Sequence, residues 1–160
     1  MLFAVEQTPA LPFDQMNLVH HEELNLANEI YAFLANSILV GDDRNKQIDS
    51  MLKEFLVHVK DHFQYEEELM AETKCPIIDC HRDEHNRVLK LMIEVFRDYY
   101  FSRDEEIIKA YLEYEFKAWI MNHILTMDTV TATYFDKYEK GEEIPKGSCS
   151  SHSHSSSCSH

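Results

Sequence analysis

Seven side chains able to bind a metal stand along this 160-residue chain in four groups: His20; His62 with Glu66; His81 with His85; and His123 with Asp128. Five imidazoles and two carboxylates make a nitrogen-rich, oxygen-containing donor set. It suits iron better than magnesium or calcium, which prefer oxygen alone. A helix turns about 100° per residue, so partners four apart point within roughly 40° of each other. His62/Glu66 and His81/His85 meet that condition, and each pair can address one metal cluster. His123 and Asp128 are five apart and diverge by roughly 140° on a regular helix. That pair requires either a local irregularity or two metals at different angles, and two metals bridged by a carboxylate would accommodate it.

The elements that must position these groups are helices. Leu24, Ala27, Ile30, Tyr31 and Leu34 recur at helical period, which predicts a helix over 17–38 with Asn17 as its N-cap. Gly41-Asp42-Asp43 then breaks the pattern, and Ile48, Met51, Leu52, Phe55, Val59, Phe63 and Met70 predict a second helix over 45–73. Pro76 marks a boundary, because the residue before a proline avoids helical geometry. A third helix is expected over 77–100, with Val88, Leu89, Met92, Val95 and Phe96 inward. Ser102 can cap a fourth, whose opening acids Asp104, Glu105 and Glu106 suit the helix dipole and which runs to about Lys140, before Gly141. The expected fold is all-α, an up-down-up-down four-helix bundle over 16–141, preceded by an arm over 1–15 and followed by a disordered tail over 142–160. A lone His/Glu pair at this spacing is usually a surface ion pair. One ligand group on each of four expected helices is a different matter, because bundles build metal sites from facing helices.

Composition narrows the function. Hydrophobic residues make up 44%, and three glycines and four prolines leave little material for a turn-rich β fold. A net charge of −14 with no basic patch argues against nucleic acid or an anionic membrane as partner. No apolar run is long enough for a membrane span, and the first residues, with Glu6 in their apolar part, do not read as a secretory signal. Cys75, Cys80, Cys149 and Cys158 do not suggest a disulfide framework in a chain this large, so a cytoplasmic location and buried structural thiols at Cys75 and Cys80 are expected. The last residues, GSCSSHSHSSSCSH, offer nothing to bury and read as a disordered tail. Their alternative reading is a loose soft-metal chelator using Cys149, His152, His154, Cys158 and His160.

Four segments, MNLVH at 16–20, HFQYEEELM at 62–70, CPIIDCHRDEH at 75–85 and WIMNHILTMD at 119–128, resemble those of hemerythrin-type non-heme di-iron proteins. The resemblance covers about residues 10–140. It implies two irons, one held by His81, His85 and His123 and the other by His20 and His62. Glu66 and Asp128 would bridge them together with an oxo or hydroxo group. It further implies an open position on the iron with two histidines, where dioxygen binds. His20 rather than His21 matches the family motif, and His58 reads as a core or outer residue. The ferritin-like alternative needs a glutamate three residues before a metal-binding histidine. Asn17, Leu18, Phe55, Val59, Ile78, Arg82 and Ile120 hold those places instead.

Trp119, Ile120 and Ile124 adjoin His123 in sequence, and Phe63 adjoins His62. As an apolar wall around bound dioxygen they would exclude water and supply no acid, which favours reversible binding over reduction. The expected function is therefore oxygen storage, delivery or sensing rather than enzymatic turnover. Its rivals are a di-iron enzyme reducing nitric oxide or peroxide, and an iron- or metal-handling protein.

Overall fold

The computed structural model describes residues 1–142, and the expectations for the tail lie outside them. Three uninterrupted helices come first: α1 (Asp14–Asn36), α2 (Gly41–Thr73) and α3 (Ile78–Ser102). A fourth rod, α4, spans 105–139. It consists of α-helical pieces Glu105–Ala110, Lys117–His123 and Thr129–Glu139, joined through π-helical turns at Tyr111–Phe116 and Ile124–Asp128. The fold is an all-α helical bundle. No helix among the described residues is long and apolar enough to cross a membrane.

The apolar stripes read from the sequence meet in one core, where Leu24, Ala27, Phe55, Val59, Met92, Ile108, Leu112 and Ile120 have no exposed surface. Each large aliphatic or aromatic side chain buried there contributes about 1.5–3 kcal/mol. The arm before α1 is packed rather than loose. Leu2, Phe3 and Leu11 are buried, and the Asn28 side chain accepts from the backbone N–H of Leu2 and Phe3 (2.9 and 2.8 Å) while donating to Phe3 O (3.0 Å). Phe3 also meets Phe116 of α4 edge to face, with ring centroids 6.0 Å apart.

Several boundaries differ from the sequence expectation. Asn17 does not cap α1, which begins at Asp14; it exchanges two 2.8 Å hydrogen bonds with the Leu11 backbone and ties the arm down. Gly41-Asp42-Asp43 starts α2 instead of breaking it, because Gly41 takes the turn at φ +59° and two acids in the first turn complement the helix dipole. Ser102 closes α3, and Asp104 caps α4 by accepting from the Glu106 N–H at 3.1 Å. Cys75 is a buried free thiol, but Cys80 is partly buried and disulfide-bonded. The expectation of a buried free thiol fails at Cys80, which lines a surface groove between α3 and α4.

Candidate metal centre

The four helices bring all seven sequence-selected side chains to one place inside the bundle. His20, His62, Glu66, His81, His85, His123 and Asp128 are each at most 3% exposed. Two sets of potential donor atoms, each lying within 4.8 Å of one another, share Glu66: one with His20 and His62, the other with His81, His85 and His123.

The two carboxylates divide their oxygens between these sets. Glu66 Oε1 is 3.1 Å from His62 Nε2 and 4.0 Å from His20 Nε2, while Oε2 is 3.5 Å from both His81 Nε2 and His85 Nε2. Asp128 Oδ2 is 3.0 Å from His20 Nε2, and Oδ1 is 3.2 Å from both His81 Nε2 and His123 Nε2. Asp128 reaches inward because His123–Asp128 spans the second π turn of α4. A π turn closes at i+5, so the divergence of a regular helix is removed by the backbone itself. Of the two solutions left open by the spacing, a local irregularity is present.

These contacts are poor hydrogen bonds and good metal geometry. His85 Nδ1 faces Glu67 Oε1 at 3.2 Å and His62 Nδ1 faces Glu23 Oε2 at 2.6 Å, so both imidazoles carry a proton on Nδ1 and, when neutral, turn the Nε2 lone pair inward. The Nε2 atoms of His81, His123 and His85 lie 3.0 and 3.3 Å apart in succession, lone pair against lone pair unless a cation or protons intervene. His20 Nε2, Glu66 Oε2 and both Asp128 oxygens are buried without a hydrogen-bond partner among the described residues. A donor set that repels itself and leaves buried oxygens unsatisfied fits cations between its members.

In the metal-free chain, protons take up part of that demand. Burial works to lower the His62 pKa, but the Glu66 and Glu23 carboxylates outweigh it and hold it well above the usual imidazole value. His123 is also raised, against burial, by Asp128. Burial would raise Asp128, yet the charge of His123, 3.2 Å away, holds it well below the carboxylate range. His85 is driven far down by burial and by the neighbouring His81 and His123 charges.

Three partners of the cluster were not singled out from the sequence: Glu23 on His62, Glu67 on His85, and Thr131, whose hydroxyl lies 3.0 Å from His81 Nδ1. Glu23 had a legible signal, since it stands one turn after His20 on the same face, and an acid there must be buried with it. His58 turns away, with Nε2 3.3 Å from Val19 O, and His21 is partly exposed outside the cluster.

The four expected wall residues are distributed unevenly. Ile120 and Ile124 are fully buried. Phe63 stacks on His85 with centroids 3.9 Å apart and also contacts His62 at 5.3 Å. Trp119 stacks on His123 at 4.7 Å, on the three-histidine side, and touches Phe63 at 5.9 Å and Phe116 at 6.0 Å. It lines a groove of about 500 Å³ between α3 and α4. Its indole N–H donates to Glu84 Oε1 at 2.9 Å, a carboxylate that Arg87 also holds.

The hemerythrin HHE cation-binding domain model matches residues 11–135, which include all seven side chains. The chain belongs to the hemerythrin family. It is 33% identical over 117 residues to the bacteriohemerythrin of Aquifex aeolicus (strain VF5), covering 73% of this chain and 85% of that protein. It is 30% identical over 95 residues to the bacteriohemerythrin of Ralstonia nicotianae (strain ATCC BAA-1114 / GMI1000), covering 59% of this chain and 68% of that protein. No solved structure matches significantly. A metal-binding role for this hemerythrin-family cluster agrees with the cation-binding description of the family and with the buried donor set.

Proposed function

We propose that this hemerythrin-family chain binds dioxygen reversibly at a pair of non-heme irons. In this reading His81, His85 and His123 would hold one iron and His20 and His62 the other, with Glu66 and Asp128 offering one oxygen to each side. The observation that carries the proposal is the division of both carboxylates, one oxygen toward each histidine set. Two irons would supply one electron each toward bound dioxygen.

The chain's own apolar residues support the reversible reading. Ile120, Ile124 and Phe63 have no acidic hydrogen to give, and the indole hydrogen of Trp119, which stacks on the three-histidine side, is committed to Glu84. Reduction past the reversible stage needs delivered protons, which such a wall withholds. The partner is then dioxygen, and the role is storage, delivery or sensing rather than turnover.

Mixing the ferrous-loaded chain with oxygenated buffer in a stopped-flow spectrometer tests this. A charge-transfer band that forms in oxygen and disappears on deoxygenation, over repeated cycles, is the expected result. Rapid irreversible oxidation with consumption of peroxide or nitric oxide would overturn it in favour of an enzyme, and a chain that takes up no iron would overturn the whole reading.

A further inference from the structure

Four of the five imidazoles of the cluster are held very differently at Nδ1. His81 faces the neutral Thr131 hydroxyl, and His20 Nδ1 has no hydrogen-bond partner among the described residues. His85 faces Glu67, whose carboxylate is a quarter exposed and is shared with Arg82 at 3.3 Å. Of these four, His62 alone turns its Nδ1 to a fully buried carboxylate, Glu23, at 2.6 Å. No Lys or Arg pairs with Glu23 among the described residues, and its other oxygen is buried without a partner. The His62 ring is the one group hydrogen-bonded to it among the described residues, with the His20 and His58 imidazoles acting on it more weakly through space.

From this asymmetry we infer that Glu23 is a positioning residue that makes His62 a more strongly donating ligand than the others, so that the two-histidine side of the centre favours the oxidised metal. A carboxylate on the far nitrogen fixes the ring and raises its basicity. The stronger donor then binds the higher-charged ion more tightly than the lower. Thr131 fixes His81 without adding charge, and the charge of Glu67 is divided with Arg82 and weakened by water. The two sides of the cluster thus differ in more than histidine count. The inference rests on the iron-binding reading above and adds to it a residue that sets redox poise.

The test uses the full chain loaded with iron. Glu23→Gln keeps the shape and an acceptor for the His62 N–H but removes the charge. Metal content, midpoint potential by spectroelectrochemistry, and affinity for a competing divalent ion such as cobalt in a chelator titration are measured on parent and variant. We expect two irons retained, cobalt affinity about 10- to 100-fold weaker, and ferric over ferrous preference reduced about tenfold, a positive shift of about 59 mV for a one-electron couple. Unchanged potential and cobalt affinity in a two-iron Glu23→Gln variant would overturn the inference and leave the iron reading standing. A parent that binds no metal would overturn both.

A variant-free measurement guards against misfolding. In the zinc-loaded parent, the nitrogen-15 shift of His62 Nδ1 should lie closer to the deprotonated range than that of His81. Equal shifts would overturn the inference.

Discussion

Removing the metals should destabilise the fold by an amount that follows from the buried atoms. His20 Nε2, Glu66 Oε2, Asp128 Oδ1 and Asp128 Oδ2 face the cluster with no hydrogen-bond partner among the described residues. Each such group costs about 1–3 kcal/mol when left unsatisfied, so the four together cost about 4–12 kcal/mol. Protons on His62 and His123 relieve part of this, which places the expected loss near the lower bound. Even about 4 kcal/mol is a large share of the roughly 5–15 kcal/mol that stabilises a domain. At ~2–4 °C per kcal/mol for a chain of this size, Tm should fall by ~8–16 °C on chelation. The assay is circular dichroism melting of iron-loaded and chelated protein at matched concentration and pH, with metal content measured on both. Reloading should restore the original Tm. A chelated chain melting within about 2 °C of the loaded one would refute the reasoning, because the cluster atoms would then be satisfied without cations.

Other expectations follow from the same geometry. His123→Ala should lower bound iron below two per chain, whereas His58→Ala, whose ring faces the Val19 carbonyl, should retain both; metal analysis after gel filtration decides, and loss in the second variant would show the ligand set to be wrong. Thr131→Val leaves a buried His81 N–H unpaired, which should cost about 1–3 kcal/mol of stability and about 10- to 100-fold in metal affinity; chemical denaturation and chelator competition read these two effects. Metal uptake should strengthen with rising pH. His62 and His123 hold protons above the usual imidazole value in the metal-free chain and must release them on binding, so apparent affinity at about pH 8 should exceed that at about pH 6. Calorimetry in two buffers of different ionisation enthalpy counts the protons released.

The helices and the convergence of ligand-type residues were legible because both are written in spacing. Apolar residues recur every three to four positions on each helix, and His62/Glu66 and His81/His85 share that period. The π turn before Asp128 was legible only as a contradiction: ILTM carries no compositional mark of a wider turn, and only the requirement that His123 and Asp128 face one place demanded it. Gly41 was misread because glycine and paired acids serve equally well as a break and as a helix start; the packing of α2 decides between them. Thr131 and Glu67 were out of reach, since each becomes a partner only when two helices are set side by side. Cys80 escaped for a similar reason, as its neighbour His81 points inward while it lies on the groove.

The aromatic contacts link the amino terminus to the metal cluster. Phe3 rests on Phe116, Phe116 on Trp119, and Trp119 on His123. Whatever pulls Leu2 and Phe3 from the Asn28 clasp, such as a bulky fusion partner or affinity handle joined at Met1, would leave the last ring of this series less firmly seated. Under the iron-binding proposal, the colour of the centre should therefore report on how firmly Phe3 is seated, and preparations that differ only there should not be assumed equivalent.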